Sequence, residues 1–199
     1  MIKIIQTKPI KPLEIFVDLY SRAINANQKN IEAICISSYD VKSSQVESRF
    51  VNLKYITDNQ WIFFSGYEGP KSIQFQNHPQ ISALFYWPNT DVQIRIKAKI
   101  KKADLIFSNN HFKDRHRSKN ALAISSNQSQ QIESYEKILE NFNKVNDSKS
   151  DLRERPNYWG GYSFEPFYFE FWQGHKSRLN KREIYEKKSS DWINYIVQP

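Results

Sequence analysis

Short apolar segments separated by turn residues run through the middle of this chain of 199 residues. Residues 81–87 and 92–101 are two predicted strands, joined by a Pro-Asn-Thr sequence that is typical of a turn. Residues 49–56 and 61–65 form a second predicted hairpin around a Thr-Asp-Asn-Gln turn. Consecutive hairpins build antiparallel sheets, whereas parallel strands need long crossover connections. The pattern therefore favours an α+β protein, mainly β, built on an antiparallel barrel that is closed or partly closed.

The period of the apolar residues assigns most of the remaining segments. Residues 12–26 and 129–145 carry apolar side chains three and four residues apart, which is typical of amphipathic helices. Further helices are predicted at 70–77 and, in two pieces, at 103–126, and further strands at 31–38, 164–172, 183–187 and 192–197. Residues 146–156 are polar and are predicted to form a loop. No repeat or domain boundary is visible, so residues 1–199 are predicted to form one domain.

Composition narrows the class of protein. The formal net charge of +8 comes from scattered basic residues, so we interpret it as solvated surface and expect no nucleic-acid partner. No apolar run reaches the roughly 18 residues that a membrane helix needs, so we expect no membrane partner. The single cysteine, Cys35, excludes an internal disulfide and suits the cytoplasm, where we expect the protein to work.

Two segments could bind a phosphate group. In the predicted strand–turn–helix at residues 61–77, Pro70 suits a first helical position, and Lys71 and Ser65 could join the free backbone N–H groups in binding an anion. The plainer alternative, a turn with a surface lysine, is favoured by this pattern alone. The strand that begins at Arg49 and ends at Lys54 has a cation at each end; phosphate oxygens could pair with these cations, or the cations could reach water.

A third basic segment covers residues 111–119. Helical spacing would place His111, Arg115 and Lys119 on one face, where they could clamp a phosphate dianion. A solvated basic helix face is the alternative. His111 and His116 are five residues apart, which is not a same-face spacing on a helix, so no metal site is predicted. No hydrolase triad and no paired carboxylates are found, and the scarcity of glycine, with five residues, counts against dinucleotide-binding and P-loop folds.

The last quarter of the chain carries three motifs rich in aromatic residues and arginine. They are Tyr158-Trp159-Gly160-Gly161-Tyr162, Glu170-Phe171-Trp172-Gln173-Gly174 and Arg178-Leu179-Asn180-Lys181-Arg182. In this order they resemble the C-terminal segment of the pyridoxamine 5'-phosphate oxidases, the FMN enzymes that make pyridoxal 5'-phosphate. The resemblance extends from about residue 12 to residue 199 and is best from Arg49 onward.

The resemblance implies a fold, a cofactor and a reaction. The fold would be an FMN-binding split β-barrel, assembled as a homodimer with FMN between the subunits and a dimerisation segment at about residues 157–199. The enzyme would be an FMN-dependent oxidase of a phosphorylated small molecule, a B6 vitamer. Hydride would pass from the C4' carbon of the substrate to flavin N5, and dioxygen would reoxidise the flavin.

The resemblance also implies the residues that bind FMN. They are Arg49, Phe50, Val51, Asn52, Leu53, Lys54, Phe64, Ser65, Pro70, Lys71, Gln93, Gln128, Ser129, Trp172 and Arg182. Pro70 stands where the family has an arginine, which removes one contact to the FMN phosphate.

The substrate residues match the family less closely. Lys54, His111, Arg115 and Lys119 stand where the family has Lys, Tyr, Arg and Ser around the substrate phosphate. Arg178 matches an arginine that lies over the reacting carbon and is the predicted catalytic residue, with a positioning role. Asn180 stands where the family has a histidine near the substrate ring. These departures leave two alternatives open: a flavoprotein of the same fold with another substrate, and a protein that binds flavin without turnover.

Overall fold

A computed structural model describes residues 1–5 and 9–199. In this part of the chain ten strands and five α-helices follow one another. They are β1 (Lys3–Ile5), α1 (Lys11–Asn25), β2 (Ala33–Asp40), β3 (Gln45–Asn52), β4 (Tyr55–Thr57), β5 (Gln60–Gly66), α2 (Pro70–Asn77), β6 (Gln80–Trp87), β7 (Val92–Lys102), α3 (Leu105–Lys113), α4 (Arg117–Ser125), α5 (Tyr135–Asn146), β8 (Trp159–Gln173), β9 (Lys181–Lys188) and β10 (Asp191–Val197). None of these helices has the length and apolar character needed to cross a membrane.

All ten strands belong to one branched sheet. The main path runs in the order β1-β4-β5-β8-β7-β6-β2-β3, and β9 and β10 branch from β8. Strand β8 is fifteen residues long and pairs with β7 along one edge. Along its other edge, β8 pairs first with β5 and then with β9. The long strand therefore links the two branches of the sheet.

The fold class predicted from the sequence is confirmed, with two corrections. The fold is α+β and its sheet is mostly antiparallel. The described strand pairings do not close the sheet into a ring. The pair formed by β1 and β4 is parallel, so the antiparallel prediction is wrong there. A three-residue strand gives too weak a period to be seen in sequence, and its partner lies far along the chain.

The core is rich in aromatic side chains and lies between α1 and the sheet. The ring of Phe16, on the buried face of α1, lies 4.6 Å from that of Trp61, 5.6 Å from that of Phe85 and 5.8 Å from that of Trp87. Along β7 every second residue is buried, from Val92 to Ile100, and the intervening residues are mostly basic and exposed. Such alternation fixes the register, because a shift of one residue would expose the apolar set.

The predicted strand at residues 49–56 is wrong as a single element, because two residues leave the ladder. The N–H of Leu53 donates to the carbonyl of Glu32 at 2.9 Å, and the N–H of Lys54 donates to the carbonyl of Ile62 at 2.8 Å. The chain changes partner at this point, so β3 ends at Asn52 and β4 begins at Tyr55.

The helix predicted at residues 129–145 begins six residues later in the structure than the sequence predicted. Ser129 has a φ of 68°, which is left-handed and not helical. Ser134 caps the helix, since its Oγ accepts a hydrogen bond of 3.2 Å from the N–H of Lys137. The helix therefore starts at Tyr135, and residues 129–134 form a loop.

Candidate cofactor and substrate site

A cleft of about 760 Å³ lies between β3, β5, the start of α2 and the connection of α3 with α4. Most of the site residues predicted from the sequence line it: Arg49, Phe50, Val51, Asn52, Lys54, Phe64, Ser65, Pro70, Lys71, His111, Arg115, Lys119, Gln128 and Ser129. The fold thus brings together the three basic segments that the sequence singled out separately. A second cavity of about 470 Å³ adjoins the cleft and shares Arg115, Lys119 and Gln128 with it.

One corner of the cleft lies at the start of α2. The Nζ of Lys71 donates to the Oγ of Ser65 at 2.8 Å, and that hydroxyl donates to the Oε1 of Gln128 at 3.0 Å. Burial, and then the charge of Arg49, lower the pKa of Lys71. The corner offers an ammonium group, a hydroxyl and a helix N-terminus, which are suitable donors for a phosphate.

Arg49 lies beside this corner and is held from three sides. Its guanidinium donates to the Oγ of Ser38 at 2.6 Å, to the Oε1 of Gln74 at 3.1 Å and to the carboxylate of Glu47 at 3.0 Å. Its side chain is 19% exposed, so it is fixed in place but still reachable from the cleft. The sequence alternative, an arginine that reaches out to water, does not describe it.

A second corner of the cleft is formed around Arg115. The guanidinium lies 4.3 Å from the ring centroid of Trp159 and 5.3 Å from that of Phe112. Its Nη2 donates to the carbonyl of Lys119 at 3.1 Å, and its Nη1 is buried without a hydrogen-bond partner in the described chain. Burial lowers the pKa of Arg115 to about 10, so the group is charged at neutral pH. An unpaired buried N–H of a cation costs free energy, which an anionic ligand would recover.

His111 lies in the same corner, although not in the way that the sequence predicted. Helix α3 ends at Lys113 and α4 begins at Arg117, so Arg115 lies in the connection and the predicted single helical face is wrong. Burial and the cations Arg115, Lys54, Lys3 and Lys119 lower the pKa of His111 to about 4. His111 is therefore neutral at pH 7 and does not add to the positive charge of the cleft.

The charge of the cleft is nonetheless strongly positive. Its lining includes six lysine and arginine side chains and two carboxylates: Lys3, Arg49, Lys54, Lys71, Arg115, Lys119, Glu47 and Asp114. Glu47 is engaged by Arg49 at 3.0 Å. The cleft therefore suits a ligand, or two ligands, with anionic groups.

Three of the predicted cofactor residues lie together at another place. Gln93, Trp172 and Arg182 are direct cross-strand neighbours on β7, β8 and β9, and we call them the Gln93 row. Trp159 and Trp172 lie near opposite ends of β8. At about 3.3 Å per residue this separation is roughly 40 Å along the strand. Within one subunit the Gln93 row therefore lies toward the opposite end of β8 from Trp159 and the cleft.

A buried carboxylate holds the end of this row. Glu170 is 2% exposed and accepts hydrogen bonds of 2.7 Å from Arg95 and 2.8 Å from Arg182. The hydrogen bonds to Glu170 raise the pKa of Arg182. Glu170 fixes the direction of the Arg182 guanidinium, a role that the sequence pattern did not reveal.

The other predicted residues lie outside the cleft. Arg178 is exposed in the turn between β8 and β9 and has a φ of 60°, and in the same turn Asn180 accepts a hydrogen bond of 3.1 Å from the N–H of His175. Leu53 is fully buried in the core. Sequence reasoning missed Trp159 and Tyr55 as cleft residues. Trp159 lies in the first C-terminal motif, but its contact with Arg115 depends on the packing of distant segments.

Comparison with known proteins identifies the family. Residues 159–199 match a family model described as the pyridoxine 5'-phosphate oxidase C-terminal dimerisation region. The pyridoxine/pyridoxamine 5'-phosphate oxidase of Acinetobacter baumannii is 31% identical over 191 residues, which cover 94% of this chain and 87% of the relative. The chain belongs to the pyridoxine/pyridoxamine 5'-phosphate oxidase family. A relative from Hydrogenovibrio crunogenus, pyridoxine/pyridoxamine 5'-phosphate oxidase 1, is 35% identical over 184 residues, covering 90% of this chain and 83% of the relative.

Membership in this oxidase family confirms two predictions from the sequence, the class of FMN-dependent oxidoreductase and the cofactor FMN.

Solved structures show the same fold. PhzG from Burkholderia lata 383, in complex with tetrahydrophenazine-1-carboxylic acid, has a TM-score of 0.90 at 24% identity, covering 96% of this chain and 94% of PhzG. A pyridoxamine 5'-phosphate oxidase-related, FMN-binding protein from Nostoc punctiforme PCC 73102 has a TM-score of 0.80 at 13% identity. The match covers 96% of this chain and 100% of the Nostoc protein.

Proposed function

We propose that this oxidase acts on a phosphorylated B6 vitamer, pyridoxamine or pyridoxine 5'-phosphate, and produces pyridoxal 5'-phosphate. The observation that supports this most is the Arg115 corner of the cleft. There a buried guanidinium nitrogen lacks a partner among residues 1–5 and 9–199, and Lys54 and Lys119 line the same cleft. A phosphate monoester supplies several acceptor oxygens and the negative charge that this corner lacks.

The residues of the cleft also fit FMN. Lys71, Ser65 and the start of α2 would hold its phosphate, and Arg49 and Gln128 would bind beside them. The Gln93 row would come from the second copy in a homodimer, because it lies far from the cleft of its own subunit. Bound FMN supplies the redox chemistry, accepting two electrons from the substrate and passing them to dioxygen.

The side chains of this chain bind and orient the substrate in this proposal. Lys54, Arg115 and Lys119 hold its phosphate, which fixes the distance of the substrate ring from the Arg115 corner. Arg178 of the second copy would approach the reacting carbon and position it, since a reacting group held in place needs less reorganisation. Phe64 and Trp159, whose stacked ring centroids lie 5.4 Å apart, give that corner an apolar wall.

Steady-state oxidation tests this proposal. The FMN-saturated protein is supplied with pyridoxamine 5'-phosphate or with pyridoxamine in air, and the aldehyde product is recorded. Three cationic contacts to the phosphate predict a kcat/KM at least about 100-fold higher for the phosphorylated compound. Equal turnover of the two compounds, or turnover of neither with FMN bound, would contradict the proposal.

One observation favours a second candidate, an oxidase of the same fold with another anionic substrate. Asn180 stands where the family resemblance gives a histidine, and its side chain is engaged by His175. PhzG shows that this fold accommodates a tricyclic carboxylic acid. The variant Asn180→His separates the two candidates. A rise in oxidation of pyridoxamine 5'-phosphate supports the vitamer, and no change favours another substrate.

A further inference from the structure

Tyr55 and His111 form a hydrogen-bonded pair at the edge of the cleft. The hydroxyl of Tyr55 lies 2.9 Å from the Nδ1 of His111. The imidazole also stacks on Phe64, with ring centroids 3.6 Å apart and planes at 9°. The ring of Tyr55 meets that of His111 edge-on at 5.4 Å and that of Phe107 at 5.0 Å. Both rings are thus fixed in direction by packing as well as by their hydrogen bond.

The surrounding charges determine which partner donates in this bond. The cations that face His111 are Lys3 from β1, Lys54 from the link between β3 and β4, and Arg115 and Lys119 from the α3–α4 region. They disfavour an imidazolium, so the ring carries one proton. Burial, and then the nearby Asp114, raise the pKa of Tyr55, which therefore keeps its hydroxyl proton.

A neutral imidazole has one donor and one acceptor nitrogen. The Nε2 of His111 has no hydrogen-bond partner among the described residues, and its ring lines the cleft. When an anion occupies the cleft, a lone pair on Nε2 would face negative charge, whereas an N–H would bind it. The Tyr55 hydroxyl can satisfy Nδ1 as an acceptor, which leaves the proton on Nε2.

We propose that Tyr55 is a positioning residue that holds His111 as a neutral donor, with its Nε2–H directed to a phosphate oxygen of the ligand. The inference rests on the proposed function, because it assigns the Arg115 corner to the substrate phosphate. It adds Tyr55 to the proposed site, as a residue that acts on the substrate through His111. It also explains how a histidine can serve among four cations without adding a fifth positive charge.

Nitrogen NMR of the histidine rings tests the inference without any turnover. The full-length protein with FMN, labelled with ¹⁵N in its histidine rings, is recorded at pH 7.5 with inorganic phosphate, and His111→Tyr assigns the His111 signals. A protonated Nε2 and an unprotonated Nδ1 are expected. An Nδ1–H tautomer or an imidazolium overturns the inference. This result is independent of whether a B6 vitamer is oxidised, which the steady-state assay decides.

A double-mutant cycle separates positioning from packing. We expect Tyr55→Phe to weaken the binding of pyridoxal 5'-phosphate to the FMN-loaded protein by about five-fold, in the range of one neutral hydrogen bond. In a His111→Tyr background, where no tautomer needs to be fixed, the same change should have an effect of less than about two-fold. An equal loss in both backgrounds means that Tyr55 only packs against Phe64 and Phe107, and the inference is then wrong.

Discussion

Arg115 combines features that a surface arginine lacks. It lies on the ring of Trp159, and a hydrogen bond to a backbone carbonyl fixes it. One of its nitrogens is buried and has no hydrogen-bond partner in the part of the chain that the structure describes. Packing has therefore already fixed the guanidinium before a ligand arrives. Preorganised donors of this kind lose little conformational entropy on binding, which raises their contribution to affinity.

We expect Arg115→Ala to raise the KM for pyridoxamine 5'-phosphate by roughly 30-fold or more, because a charge-assisted contact contributes about 2 kcal/mol. FMN affinity should change little, since Lys71 and Arg49 lie at the other corner. Arg153→Ala is a matched control, because that arginine is exposed and paired with Asp151. Steady-state kinetics and FMN titration measure the two effects. An unchanged KM would remove Arg115 from the substrate site.

His111 gives a pH dependence of stability whose sign follows from its pKa. The pKa is about 4 in the folded protein, below the ordinary value of 6.5. The unfolded chain therefore binds more protons between these pH values, so this group's contribution to stability is intact above about 6.5 and is lost as pH falls. Between pH 7 and pH 5 the free energy of unfolding of the wild-type protein should fall by about 1 kcal/mol more than that of His111→Gln.

Urea unfolding of both proteins at the two pH values measures this difference. His175→Gln, at an exposed position, is the control histidine substitution. A gap between wild type and His111→Gln that is the same at pH 5 and pH 7 would contradict the neutral, buried state of His111.

Strand β8 links the branches of the sheet and also contains Glu170, the centre of a charged network. Its long edge pairs with β7, and Glu170 joins Arg95 and Arg182 across three strands. Because Glu170 is almost fully buried, its charge depends on these two arginines for compensation.

Glu170→Ala should lower the free energy of unfolding by about 2 kcal/mol, since it leaves two arginines without their shared acceptor. Glu165→Ala is the matched control on the same strand: Glu165 is 52% exposed and pairs with Lys187, so its loss should cost less than about 1 kcal/mol. Chemical denaturation measures both values. Equal costs for the two variants would show that burial of Glu170 contributes nothing.

The elements that the sequence predicted best are those determined by local chemistry. Helix α2 begins at Pro70 and ends at Asn77, as predicted, because Pro70 suits the first turn. The hairpin of β6 and β7 follows from its apolar segments and its turn. The break at Leu53 and the parallel strand β1 were not predictable in this way, since both depend on hydrogen bonds with distant segments.

The same distinction applies to the candidate site. The resemblance assigned Arg49 and Lys71 to FMN and Arg115 to the substrate phosphate, and the structure brings all three to one cleft. The neutral state of His111 and the platform of Trp159 follow from burial and packing, which no spacing in the sequence encodes. Glu170 entered the sequence analysis only as part of a motif, and its burial between two arginines is visible only in the structure.

The molecule as a whole separates the proposed FMN residues into two groups, the cleft and the Gln93 row. Strand β8 separates these groups, so under the proposed assignment a complete FMN site would need two copies. A closed twofold dimer would supply two such sites, each built from both chains. The matched dimerisation-region model at residues 159–199 covers the segment that carries Trp172 and Arg182.

Mixing two defective chains tests this arrangement. Lys71→Ala removes a cleft residue and Trp172→Ala removes a residue of the row, so each protein alone should bind FMN weakly. After subunit exchange, heterodimers contain one intact site, and random pairing should restore about a quarter of all sites. Fluorescence titration with FMN counts them. No recovery despite proven exchange would show that both groups act within one chain or that the row does not bind FMN.

The most direct measurement is an anaerobic titration of the FMN-loaded protein with pyridoxamine 5'-phosphate while the visible flavin band is recorded. The proposed function predicts that the band bleaches as substrate is added and returns when air is admitted. Pyridoxamine without the phosphate should bleach it only at much higher concentration. A band that persists at saturating pyridoxamine 5'-phosphate would contradict the proposed substrate and direct attention to His111, Lys119 and Asn180.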